Sequence, residues 1–90
     1  MDKEVIWIVR GSQRKGLFLQ LPENPFISNK LRKEINEKTG SNLSLREMSR
    51  HLNDFQEYGL IKCLNPSDPY NKIYELTQKG KSIIKTVKDI

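Results

Sequence analysis

Residues 43–61 constrain the fold more than any other stretch, because they hold the start, the apolar face and the end of one helix. Ser44 followed by Glu47 is the pattern of a capping box, in which each side chain bonds to the backbone of the other residue. Gly59 can adopt the left-handed backbone that ends a helix, with the next residue folding back. The stretch therefore predicts a helix over residues 45–58.

This predicted helix has two contrasting faces. Apolar side chains recur at helical spacing and should form a stripe buried in the core, namely Leu45, Met48, Leu52 and Phe55. The opposite face carries Arg46, Arg50 and Asn53, with Ser49 at its edge. A helix with a buried stripe and a free face of Arg, Asn and Ser suits entry into the major groove of DNA.

Length and composition predict a single folded domain over residues 1–90. The chain is 36% hydrophobic and 30% charged, which is typical of a folded protein rather than a disordered one. No apolar run approaches the roughly 20 residues of a membrane span. The first residues lack the order of a secretory signal, and the one cysteine, Cys63, fits a reducing compartment. We therefore expect a cytoplasmic protein with no membrane partner.

The net charge of +5 favours a polyanionic partner without proving one. Many small domains are equally basic and bind no nucleic acid. The distribution of charge along the chain therefore matters more than its total.

Before the helix over 45–58, the chain predicts a strand and two more helices. Residues 5–9 are β-branched and aromatic, which indicates a strand. A helix should cover 12–21, and another should begin at Ser28 or Asn29 and end at Gly40. A helix, a short turn and a second helix with a polar face is the layout of a helix-turn-helix unit.

After Gly59 the pattern changes to two strands, over 60–64 and 73–76, around a turn-rich loop. Thr77 can then cap a last helix. The predicted class is α+β in the order β-α-α-α-β-β-α. If the hairpin lies beside helix 45–58, the predicted arrangement is that of a winged helix-turn-helix, with a three-helix core and a two-stranded wing.

Several of these runs resemble winged helix-turn-helix transcription regulators. The Ser-Arg-His-Leu run at 49–52 and the Gly-Leu-Ile exit at 59–61 are similar to the recognition helix of the arsenical-repressor-like and multiple-antibiotic-resistance-regulator-like groups. The Ile-Tyr-Glu-Leu-Thr-Gln-Lys-Gly run at 73–80 resembles their second wing strand and last helix. The runs at 7–12 and 62–66 resemble compact archaeal members. The resemblance covers about 5–86.

This resemblance implies a sequence-specific, duplex-DNA-binding transcription regulator, usually a homodimer. Helix 45–58 would lie in the major groove and the wing at 62–74 on the DNA backbone. Metal-sensing members carry Cys and His clusters, whereas this chain has one Cys and one His, too few for a typical transition-metal site. No cofactor and no metal are therefore expected.

Arg46 and Arg50 are the strongest candidates for DNA contact, because Arg can bond guanine bidentately. Their alternative role is that of solvated surface residues. Asp54, near the far end of the helix, is expected to face away from DNA. Lysines of the preceding helix and of the hairpin could contact phosphates. The full set of predicted DNA-binding residues is Ser44, Arg46, Ser49, Arg50, Asn53, Lys30, Lys33, Lys62 and Lys72.

The terminal elements suggest a surface for a second copy of the chain. These elements carry a larger number of apolar side chains than the core of a small domain is expected to bury, namely Trp7, Ile83, Ile84 and Val87. The same surface supports an alternative function, that of a winged-helix protein–protein interaction module in a transcription or chromatin assembly. We expect no enzymatic activity, because no glycine-rich phosphate loop and no nucleophile–base combination is present.

Overall fold

Residues 2–90, which the structure (a computed structural model) describes, form five helices and one three-stranded antiparallel sheet. The predicted α+β class is confirmed at this level. In chain order the elements are α1 (Lys3–Arg10), α2 (Ser12–Leu19), β1 (Phe26–Ile27), α3 (Ser28–Thr39), α4 (Leu45–Glu57), β2 (Ile61–Cys63), β3 (Ile73–Leu76) and α5 (Gln78–Lys88).

Both predicted ends of α4 are confirmed. The Glu47 amide donates to Ser44 Oγ at 3.1 Å, and the Ser44 amide donates to the Glu47 carboxylate at 3.0 Å. At the other end Gly59 has a φ of 75°, and the Leu60 amide donates to the Phe55 carbonyl at 2.9 Å. These are the bonds of a capping box and of a Schellman motif. Local sequence therefore defines the length of α4.

The predicted strand over residues 5–9 is wrong, because these residues lie in α1. Val5 and Ile8 are three positions apart and both are fully buried, as helical spacing allows. The Glu4 carboxylate also forms an ion pair with Lys79 Nζ at 3.0 Å, which joins α1 to α5. Packing of α1 against α2 and α5 outweighs the β propensity of this run.

The sheet has the order β1-β3-β2, with β3 antiparallel to both neighbours. The two predicted strands around the turn-rich loop are present as β2 and β3. The short strand β1 was not predicted, and it pairs Phe26 with Tyr74. The predicted element order is thus wrong in two places, at the first strand and before α3. A two-residue strand has too short a pattern to be recognised without its partner.

The buried face of α4 differs from the predicted stripe at two positions. Met48, Leu52 and Phe55 are buried as expected, whereas Leu45 is 58% exposed. His51 is only 6% exposed and takes part in the buried face instead. Leu45 is the first residue of the helix and lies on the flank of the stripe, so the core does not reach it.

The predicted dimer surface is wrong for the last helix, because Ile83, Ile84 and Val87 are buried within the chain's own core. Trp7 is half-buried, and its ring also packs against other aromatic rings of the chain. Its ring stacks on Tyr58 at 4.1 Å between centroids and meets Phe55 edge-on. The five helices absorb more apolar surface than the sequence suggested. These three residues of α5 are therefore not available to a second copy of the chain.

The start of α5 is packed against the end of α4 by way of Gly80. Thr77 Oγ1 accepts a hydrogen bond from the Gly80 amide at 3.0 Å, which confirms the predicted cap. A Cβ atom at position 80 would fall well inside contact distance of the Leu60 carbonyl oxygen and 3.1 Å from Leu76 Cδ2. The missing side chain is therefore what allows the two segments to approach.

Gly80→Ala should lower the free energy of unfolding by about 2 kcal/mol or more, because the new methyl group overlaps backbone that cannot move away cheaply. Gly16→Ala is the matched control, since a Cβ at Gly16 in α2 meets nothing within 4 Å. That variant should gain roughly 0.5–1 kcal/mol from helix propensity. Urea unfolding of both variants tests the expectation, and equal effects would contradict it.

Candidate functional site

The exposed face of α4 forms a shallow concave surface. It is lined by Arg46, Ser49, Arg50 and Asn53, with Leu45 and Asp54 at its sides. All four predicted polar residues are exposed to solvent. Two guanidinium groups, one amide and one hydroxyl therefore point outward from the same helix.

A second concave surface lies where α4, the start of α3 and the loop between β2 and β3 meet. We call it the α4–hairpin groove, and it has a volume of about 510 Å³. Its lining residues are Ser28, Asn29, Leu45, Ser49, Leu52, Asn53, Pro69, Tyr70, Asn71, Lys72 and Tyr74. Leu45, Ser49 and Asn53 line both surfaces, so the polar face of α4 and the groove are continuous.

The hairpin loop beside the groove is held by two side chains. Asn65 donates to the Asn71 carbonyl at 2.9 Å and accepts from the Ile73 amide at 2.7 Å. Asp68 accepts from the amides of Tyr70 and Asn71 at 2.8 and 2.9 Å, and these bonds lower the pKa of its carboxyl group. Tyr70 is nonetheless 83% exposed. The loop presents its side chains from an ordered backbone.

The turn between α3 and α4 is fixed by bonds to the backbone of Leu43. Asn36 accepts from the Leu43 amide at 2.9 Å and donates to the Leu43 carbonyl at 3.0 Å. Arg32 also donates to that carbonyl, at 3.1 Å, so its charge is engaged inside the turn. Gly40 ends α3 with a φ of 71°. Nothing in the spacing of the sequence indicated these roles for Asn36 and Arg32.

The structure brings together five of the nine residues predicted to bind DNA, and they are Arg46, Ser49, Arg50, Asn53 and Lys72. Ser44 lies at the amino-terminal end of the same helix, where its hydroxyl accepts the capping bond.

The other three predicted residues lie apart from the groove lining. Lys62 forms an ion pair with Glu75 at 3.2 Å across the sheet. Lys30 lines a different concave surface beside the 22–27 connector. Lys33 is exposed on α3 outside the groove lining.

The residues that line these surfaces but were not predicted to bind DNA include Leu45, Asn29 and Asp54. Leu45 fits the apolar stripe by its spacing, and Asp54 was expected to face away. The carboxylate of Asp54 instead lines the same surface as Arg46 and Arg50, and it lowers the positive charge there. The position of Asn29 depends on how α3 packs, which no local signal encodes.

Helix α2 braces the first turns of α4 through Gln13. Its side chain donates to the Glu47 carboxylate at 3.4 Å, and its Oε1 lies 3.2 Å from His51 Nε2. The capping bond to the Ser44 amide is the main reason that the pKa of Glu47 is lowered. Glu47 is thus engaged as a cap, as the sequence predicted, rather than free to contact a base.

His51 is buried with its Nδ1 atom lacking a hydrogen-bond partner within residues 2–90. Burial lowers the pKa of its imidazole, and the nearby Arg50 lowers it further. Asp54 opposes this effect, and Arg14 and Glu47 contribute smaller effects of opposite sign. The folded state therefore favours the neutral ring.

The described part of the chain holds neither a metal-ligand cluster nor a helix suited to a membrane. Across residues 2–90, no three His, Cys, Asp or Glu side chains stand close enough together to hold a metal ion. In the same range, every helix is too short or too polar to cross a bilayer.

The depressed pKa of His51 predicts that stability falls as pH drops below about 6.5, the value of an unperturbed imidazole. The unfolded chain binds the proton more readily there, so the free energy of unfolding must fall with pH. Urea unfolding between pH 5 and 7 measures this dependence. His51→Gln should flatten it, because glutamine does not titrate.

Three carboxyl groups with lowered pKa values affect the free energy of unfolding in a lower pH range, and they belong to Glu4, Glu47 and Asp68. Their contribution is lost only as pH falls below their ordinary values of 4.5 or 3.8. Identical slopes for wild type and His51→Gln above pH 5 would contradict the assignment to His51.

No family model, no curated protein and no solved structure matches this chain.

Proposed function

We propose that this chain is a winged helix-turn-helix regulator of transcription that binds duplex DNA in a sequence-specific way. Helix α4 would enter the major groove, and the loop between β2 and β3 would act as the wing on the DNA backbone. One observation carries the proposal. The polar face of α4 and the α4–hairpin groove form a continuous surface on which Arg46, Arg50, Asn53 and Lys72 meet solvent.

The connection between α3 and α4 supports this proposal. A five-residue turn at 40–44 joins the two helices, and bonds to the Leu43 backbone hold it in one conformation. A helix-turn-helix unit requires such a rigid turn, because its first helix crosses the DNA backbone while its second contacts base edges. The net charge of +5 adds general attraction to phosphate.

Each side chain of the surface has a chemical task in this proposal. Arg46 and Arg50 can donate two parallel bonds to guanine or a charged bond to phosphate. Asn53 and Ser49 lie toward the groove and suit phosphate or sugar contacts. Lys72 comes from a hairpin loop whose backbone is held by Asn65 and Asp68, so the loop need not be ordered when Lys72 meets a phosphate.

The alternative of a protein-interaction module loses its main support. It rested on apolar side chains of the terminal elements, and Ile83, Ile84 and Val87 are inside the core. We propose a binding protein rather than an enzyme, since the surface combines cations and amides without a nucleophile–base pair.

Selection of bound duplexes from a random pool, followed by a gel-shift salt titration, tests the proposal directly. We expect an enriched sequence and an affinity that falls as salt rises from about 50 mM. Binding with no enriched sequence would indicate an architectural DNA binder. No binding at the lowest salt would contradict the proposal, because phosphate attraction is strongest there.

Arg50→Ala should weaken binding and relax sequence preference by roughly 1–3 kcal/mol at one position, as expected for the loss of a bidentate base contact. Lys72→Ala should weaken binding about equally on all sequences and lower the salt slope by about 1. Lys38→Ala is the matched control, since Lys38 lines a separate surface on α3. Unchanged affinity in the first two variants would contradict the proposed docking of α4 and the hairpin loop on DNA.

Asp54→Asn should strengthen binding, most clearly at low salt. The substitution keeps the shape of the side chain and removes a negative charge from the surface that holds Arg46 and Arg50. Glu37→Gln makes the same charge change on a separate surface of α3, so it controls for net charge alone. If both variants gain equally, the α4 face is not where phosphate is bound.

A further inference from the structure

Leu45 is an apolar side chain among the polar ones that line the outer face of α4. It is 58% exposed, whereas Met48 and Leu52 of the same helix are 2% and 1% exposed. A single exposed leucine needs no explanation by itself, and Ile90 is exposed to the same extent. Leu45, however, lines the candidate interface, where contact with an apolar group of a bound partner would gain the free energy of its burial.

The backbone at Leu45 is well defined. Leu45 is the first residue of α4, and the capping box between Ser44 and Glu47 holds this turn. It lines both the outer face of α4 and the α4–hairpin groove, which Tyr70 also lines. An object bound across both surfaces would therefore pass over Leu45.

The edges of base pairs in the major groove carry mostly polar groups, and the 5-methyl of thymine is their largest apolar one. The first residues of a recognition helix are those that contact base edges. From this placement we infer that Leu45 recognises the 5-methyl group of a thymine and is a specificity-determining residue. This inference rests on the proposed function, because it requires α4 to lie in the major groove.

Replacement of thymine by deoxyuridine isolates the contact, since uracil pairs as thymine does and lacks only the methyl group. In the duplex recovered by selection, each thymine is replaced singly. Wild-type protein should lose affinity about fourfold at one thymine per bound chain, which is the value of burying one methyl group. Replacements at the other thymines should have little effect.

Leu45→Ala should bind the thymine duplex more weakly and make no distinction between thymine and uracil at that position. Alanine favours helix, so the variant should fold, and circular dichroism with thermal unfolding verifies this. Ile90→Ala is the matched control. Ile90 is also an exposed aliphatic residue, at 58%, but it lies outside the linings of both α4 surfaces and outside the hairpin loop, and this variant should keep the fourfold difference.

Failure of the proposed function and failure of this inference give different results. Absence of duplex binding by wild type would overturn the proposed function and this inference with it. Duplex binding that is insensitive to uracil at every position would overturn the inference alone. Full thymine preference in the Leu45→Ala variant would also overturn the inference alone.

Discussion

The backbone of Leu60 is the point on which the arrangement of the fold depends. Its amide closes the end of α4 by donating to the Phe55 carbonyl, and its own carbonyl accepts a bond from the Thr77 amide at 3.0 Å. The same carbonyl lies against Gly80, at the start of α5. One residue thus sets the positions of α4, the hairpin and α5. The groove exists because α4 and the hairpin loop keep this spacing.

Features encoded within a few residues could be predicted from the sequence. The capping box at Ser44 and Glu47, the left-handed turn at Gly59 and the cap at Thr77 each involve bonds that span at most five residues. The strand over 5–9 was predicted wrongly for the opposite reason. The secondary structure of these residues depends on packing against α2 and α5, and such contacts between distant segments outweigh local propensity.

The residue types of the candidate site could be predicted from the sequence, but the contacts of those residues with other elements could not. Arg46, Arg50 and Asn53 share a face because helical spacing alone places them together. The role of Lys62 depends on a strand register that sets Glu75 opposite it, and only the folded sheet defines that register. Leu45 shows the limit of periodicity, because a residue at the flank of a stripe is buried only where a neighbouring element reaches it.

The stacking of Trp7 on Tyr58 has a practical consequence. Trp7 is the single tryptophan of the chain, and its ring also lies beneath the Arg14 guanidinium carbon, 4.4 Å from the ring centroid. The indole is absent from the linings of both α4 surfaces, while it touches the end of the helix that forms them. Its intrinsic fluorescence therefore reports the packing of α1 onto α4 and can be used as a probe of folding.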